Sequence, residues 1–159
     1  MTDEFDKSKF GDPIYEPLRP NEREWLERSR SWASVAARAI GESGKWTGSN
    51  SDWDLVQRLI DENAFDKTSQ GNWEGLAVVC GDVLANKLSL VWKRVTDGYG
   101  TTVVLQFPET AITVYVCSTL WKRIERSEEI DTVYLFSEIE RSVSNMIDSG
   151  DYMKVFDKQ

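Results

Sequence analysis

"RVTDGYGTTVVL", residues 94–105, decides the fold, because it places glycines, an aspartate and a tyrosine between two apolar runs. Such a segment either cradles a ligand, as glycine-rich phosphate loops do, or reverses the chain. A phosphate loop needs a helix N-terminus directly after it, so that backbone N–H groups point at the anion. The chain instead continues as "TTVVLQF" (101–107), rich in β-branched residues that favour a strand. Asp97, Gly98 and Gly100 are residues that tolerate positive φ in a hairpin loop. The stretch therefore reads as a turn between two strands.

Two more apolar runs frame it. "LVWKRV" (90–95) precedes the turn, and "AITVYVC" (111–117) comes after "TTVVLQF" and the short connection "PET". Connections this short predict an antiparallel meander of three strands, since parallel pairing needs a long crossover. Upstream the apolar period is helical. Asn21 with Glu24 predicts a capping box, leading into a helix to about Ile40 whose stripe is Trp25, Leu26, Trp32, Ala33, Ala36 and Ile40. Ser51 and Asp54 predict the start of a second helix reaching about Glu62, with Trp53, Val56, Leu59 and Ile60 inward.

A third helix is expected from about Asn72 to Leu88, with Trp73, Leu76, Ala77, Cys80, Leu84 and Leu88 inside. Gly75 and Gly81 in its interior are costly unless another backbone comes close, and Gly81 reads as a packing contact. After the meander, "TLWKRIER" begins a short helix at Ser118 or Thr119 with Leu120, Trp121 and Ile124 inward. Asp131 caps a last helix from about Thr132 to Ile147, its stripe running through Leu135, Phe136, Ile139, Val143, Met146 and Ile147. Residues 1–20, with Pro13, Pro17 and Pro20, read as an extended arm. The tail "DYMKVFDKQ" is expected to dock on the domain or add a short strand. The expectation is one α+β domain over residues 21–159: helices, a three-stranded antiparallel meander, then helices, with a single sheet layer packed on them.

From about Trp73 to Val143 the order "GLAVVCGDVL", "LVWKRVTDGYGT", "FPETAITVY", "TLWKRIERSEEIDTVYLF" resembles a bacterial group, domain-of-unknown-function family 3806. The pieces that carry the resemblance are Gly81 with Asp82, Trp92 with Asp97, Tyr99 and Gly100, and Lys122, Arg123, Ile124 and Glu125 leading to Asp131 and Phe136. Trp121 stands where the family usually has a short side chain before the lysine. The resemblance implies a small α+β domain of bacterial type and supplies no reaction. The Trp-rich first 65 residues lie outside it.

Composition narrows the chemistry. The chain has 159 residues, enough for one well-developed core, and no histidine. Without histidine the usual base near neutral pH, Ser-His and Cys-His nucleophiles and most catalytic zinc sites are missing. A net charge of −8 argues against a broad nucleic-acid grip, which needs clustered Lys and Arg; it is compatible with a basic protein partner, and equally with acidity that only keeps a soluble protein dispersed. The acidic N-terminus lacks signal-peptide character and no apolar run is long enough to span a bilayer, so a cytoplasmic protein without membrane association is expected. Cys80 and Cys117, 37 positions apart with no CxxC spacing, read as buried reduced thiols.

Individual candidates are few. "GESGKWT" (41–47) resembles a P-loop only superficially, because Ala39 replaces the first glycine and Trp46 stands where Ser or Thr should meet magnesium. Asp52 and Asp54 in "DWD" read as acids of a first helical turn rather than a metal pair. Seven tryptophans are explained by inner faces except Trp46, which, set in a glycine-bounded loop, either folds back on its own domain or anchors an interface. Glu125, Glu128, Glu129 and Asp131 form an acidic corner that Lys122 and Arg126 can relieve.

No catalytic, cofactor-binding or metal-ligating residue is assigned, and no cofactor is expected. Trp46, Asp97, Tyr99, Lys122, Arg123, Glu125, Glu128 and Glu129 are the candidates for contact with a partner. The expected function is a non-enzymatic acidic protein-binding domain, one version being an immunity protein that neutralises a basic toxin. The alternatives are an enzyme working through carboxylates, Lys122 or Arg123 near the hairpin, and a self-associating structural or regulatory module.

Overall fold

A computed structural model describes residues 12–150 of the chain. The first eleven residues of the expected arm and the whole of the tail "DYMKVFDKQ" lie outside the described residues. The elements, in order, are β1 (Ile14–Glu16), α1 (Pro20–Ala39), α2 (Ser51–Asp61), α3 (Gln70–Leu88), β2 (Val91–Asp97), β3 (Gly100–Gln106), β4 (Thr113–Val114), a 3₁₀ turn (Val116–Ser118), α4 (Thr119–Glu125) and α5 (Thr132–Ser149). The class is α+β, as expected.

α3 is the centre of the packing. Residues on every side of it are buried, from Trp73 and Leu76 to Val83 and Leu84, because α1, α2, α4 and α5 all pack around it. Its two interior glycines are explained by ring contacts rather than by a second backbone. A Cβ at Gly75 would lie 3.1 Å from Cε3 of Trp32, and one at Gly81 would lie 3.0 Å from Cη2 of Trp92 and 3.2 Å from Cγ1 of Val116. Two indoles thus take the space that side chains would fill, offsetting the helix propensity that glycine forfeits.

The sheet has four antiparallel strands in the order β1-β2-β3-β4, one more than the meander read from the sequence. The extra strand comes from the arm: Ile14, Tyr15 and Glu16 pair with Thr96, Val95 and Arg94. A three-residue strand bounded by Pro13 and Pro17 is too short to show a period of two. The third expected strand is correspondingly cut to Thr113–Val114, because Val116 turns in against α3 and is wholly buried. Trp92, Leu105 and Val114 stand opposite one another on the face that meets the helices. Tyr15 lies on the other face, beside Val95, and its hydroxyl meets Oγ1 of Thr113 at 2.5 Å. In a flat sheet the outer strands would stand about 14 Å apart, beyond what a tyrosine can bridge, so the sheet curls toward this face.

The hairpin is tighter than a loop. Asp97 pairs with Gly100, so Gly98 and Tyr99 alone make the turn, and Gly100 carries the positive φ of 125°. Helix starts differ from expectation, each for a local reason. α1 begins at Pro20, which has no N–H to satisfy, and Glu22 accepts from the Arg19 backbone N at 2.8 Å, so Asn21 and Glu24 form no box. α2 starts after Asn50, and Asp52 turns backward to hold the preceding loop instead of capping its own helix. Asp131 does cap α5, accepting from Tyr134 N at 3.1 Å. Of the expected α5 stripe, Phe136 and Val143 are buried while Met146 is 43% exposed.

Candidate functional site

Asp82, Trp92 and Asp97, three of the residues that carry the motif resemblance, are engaged within the fold. Asp82 receives three donors: Nε of Arg30 at 2.7 Å, Nη2 of Arg30 at 2.9 Å and Nε1 of Trp92 at 2.9 Å. Burial of the pair is partial, and the carboxylate raises the Arg30 guanidinium above its ordinary value, the hydrogen bonds to it being the main cause. The network holds the Trp92 ring against Gly81. Asp97 is engaged as well. One oxygen accepts from Tyr99 N at 2.8 Å inside the turn, and the other accepts from the Tyr115 hydroxyl at 3.1 Å. Burial first, then this bond and the nearby charge, push the Tyr115 phenol up to about 12.

Both thiols are free of disulfides, and burial pushes each of them up, Cys117 to about 12, with Glu74 and Asp82 adding to the effect. A thiol so placed stays protonated and unreactive near neutral pH. The carboxyl of Glu74, half-buried on α3, is also raised by its burial, a shift that a hydrogen bond from Gln70 opposes. Among the described residues no three His, Cys, Asp or Glu side chains are grouped so as to hold a metal ion.

Trp46 folds back on the domain and packs against the core, with its Nε1 wholly inside and without a hydrogen-bond partner. Its loop is held from below: Asp52, 3% exposed, accepts from Thr47 N at 3.0 Å, Thr47 Oγ1 at 2.9 Å and Gly48 N at 2.8 Å. Trp46 is therefore far less exposed than a loop anchor would be. Lys122, Glu125, Glu128 and Glu129 are exposed at the junction of α4 and α5. The junction closes on Ser127 at φ 56°, where Ser127 N meets Ile124 O at 3.0 Å and Glu128 N meets Arg123 O at 2.9 Å. A serine occupies the place that glycine usually fills.

A cleft of about 380 Å³ lies between α5 and the segment running from β4 into α4. Val114, Leu135, Ile139 and Val143 make its apolar floor; Tyr115, Thr119 and Arg123 form one wall, and Glu138 and Ser142 the other. Nη1 of Arg123 donates to Thr119 O at 3.1 Å, which holds the guanidinium along the wall. Glu138 is ion-paired with Arg141 one turn on. Of the residues singled out from sequence, the structure joins Arg123 to this cleft and reaches Asp97 through Tyr115. Trp46 lies apart, and Tyr99 stands 79% exposed at the hairpin tip. Tyr115, Glu138 and Ser142 escape a sequence reading, since Tyr115 sits in an apolar run that looks like a strand and the other two lie beside a helix stripe.

The model of the family described as "Domain of unknown function (DUF3806)" matches residues 52–136, more than half of the chain. The match reaches back through α2, which the motifs alone leave outside the family. No curated protein matches the chain. A crystal structure of a protein from Bacteroides thetaiotaomicron VPI-5482, at 1.50 Å resolution, has a TM-score of 0.70 and 15% sequence identity, over 85% of this chain and 50% of that one. The chain spans half the length of that protein, and at such identity the likeness concerns the fold alone. The family match takes in α2, α3, the hairpin, α4 and the start of α5, with Asp82, Trp92 and Asp97 in the roles described above, and on it the chain belongs to the DUF3806 family.

Proposed function

We propose that the chain is a non-enzymatic protein-binding domain that engages a basic partner through the cleft between α5 and the β4–α4 segment. One observation carries the reading: an open, apolar-floored cleft has a 45% exposed tyrosine and an arginine on its rim. Protein interfaces combine an apolar centre with a polar rim and are enriched in Tyr and Arg. The net charge of −8 and the exposed Glu125, Glu128 and Glu129 beside the cleft suit a basic partner, whose approach they would accelerate. Reaction chemistry has less behind it. Asp82 and Asp97 are both engaged in hydrogen bonds, and the two thiols are held protonated.

A concrete version is an immunity protein that neutralises a basic toxin, such as a nuclease, in the bacterial cytoplasm. The test is calorimetric titration of the chain with the basic proteins encoded beside its gene, at low and high salt. Binding should weaken with salt and with Glu128→Lys plus Glu129→Lys. A complex indifferent to both would contradict the reading. Light scattering in the same series separates it from a module that only self-associates, which would show an oligomer and no foreign partner.

A further inference from the structure

We infer that the occupant of the cleft is an amphipathic helix of the partner, lying along α5 with its basic C-terminal end over the junction of α4 and α5; the inference rests on the protein-binding reading above. Two walls of different kind decide between a helix and a strand. α5 lines one side, where Leu135, Ile139, Ser142 and Val143 fall on one helical face about 12 Å long, Leu135 and Val143 buried at its base, Ile139 half-buried and Ser142 exposed. Met146, 43% exposed, carries the same face about three residues further. The other wall offers little to a strand: β4 is two residues long and passes into a 3₁₀ turn, so a peptide added at its edge would find almost no ladder. A helical ridge with the small Ser142 in it accepts the ridge of a second helix, two to three turns long.

Charge sets the direction. Glu125, Glu128, Glu129 and Asp131 are exposed at the end of the cleft where α4 meets α5, and Arg123 stands on the wall at the same end. The last turn of a helix suits both groups at once. Its unpaired carbonyls and partial negative charge face Arg123, while Lys or Arg side chains in that turn reach the carboxylates. The reverse orientation would set the positive end of the helix dipole against Arg123.

A display library of helices about four turns long, randomised at all positions and selected on the full chain at low salt, tests this. Recovered sequences should carry apolar residues at i, i+3 or i+4, and i+7, with Lys or Arg in the last turn. Ser142→Trp fills the cleft from its α5 wall, and Ile139→Ser removes part of the floor. Either should weaken the selected helices about tenfold or more, with unchanged circular dichroism. Glu128→Lys with Glu129→Lys should weaken them by a similar factor, about tenfold. Failure to enrich helices, or helices that bind Ser142→Trp as well as the parent, overturns the inference. If the charge reversal still weakens the natural partner in that case, the protein-binding reading survives. Helices that fill the cleft yet ignore the charge reversal overturn the basic-end assignment.

Discussion

Replacing Gly81 with alanine should destabilise the protein, although the same change in an ordinary helix stabilises it. Removing a glycine from a helix interior is worth about 1 kcal/mol. Here the added Cβ would meet Trp92 at 3.0 and 3.1 Å and Val116 at 3.2 Å, so a neighbour must retreat by a few tenths of an ångström. Trp92 cannot slide freely. Its Nε1 is bonded to Asp82, which Arg30 grips with two nitrogens. Overpacking a fixed ring costs about 1–3 kcal/mol, and giving up the indole hydrogen bond to make room costs about 1 more. The net expectation is a loss of about 1–3 kcal/mol in urea unfolding, monitored by tryptophan fluorescence and circular dichroism. Trp92→Leu supplies the control. With the ring gone, Gly81→Ala should turn neutral or stabilising, giving a coupling of about 1 kcal/mol or more in the double-mutant cycle. A more stable Gly81→Ala protein, or additivity with Trp92→Leu, would refute the reasoning. Gly75→Ala should cost less, because Trp32 meets only one face of that site, Cε3 at 3.1 Å, and leans edge-on against Phe65 without a comparable clamp.

The same geometry fixes three further outcomes. Cys117 and Tyr115 hold their protons more tightly folded than unfolded, their values rising from 9.0 and 10.0 to about 12, so their contribution is whole below pH 9. As pH climbs from 9 toward 12 the unfolded chain releases protons that the folded chain keeps, and stability falls. Denaturant midpoints across that range should drop, and Cys117→Ala should drop less; an equal slope in both proteins would show that the thiol plays no part. Asp52→Ala strips three hydrogen bonds from the 47–48 loop at a buried site and should cost about 2–3 kcal/mol, whereas exposed Asp54→Ala should cost about 0.5 kcal/mol or less, both read by thermal unfolding. Tyr15→Phe removes the bond to Thr113 that ties the outer strands and should cost about 1 kcal/mol, with faster amide exchange in β1; unchanged exchange would show the bond to be idle.

Legibility in the sequence depends on how far apart the interacting residues lie in the chain. The hairpin is legible because apolar runs on both sides and Gly98–Gly100 between them state a local rule. The same holds for Asp131 at the start of α5. Gly81 announces a close contact, yet nothing in its surroundings names the ring of Trp92 as the neighbour. Asp82 stands out as part of a motif, while Arg30, 52 residues away, is its partner only because α1 lies on α3. The arm's strand is hidden by its length, for three residues between prolines cannot display alternation. The cleft is hidden for a different reason. A helical stripe shows which side of α5 is apolar but not how much of it is covered, and here the cover stops short of Ser142 and Met146.

The most direct measurement is amide hydrogen exchange on the chain alone and in complex with a basic partner that it binds. Docking in the cleft predicts new protection at residues 113–123 and 135–146, along its two walls, with little change around Gly81 and Trp92. Protection confined to the loop of Trp46, or absent from both walls, would contradict it.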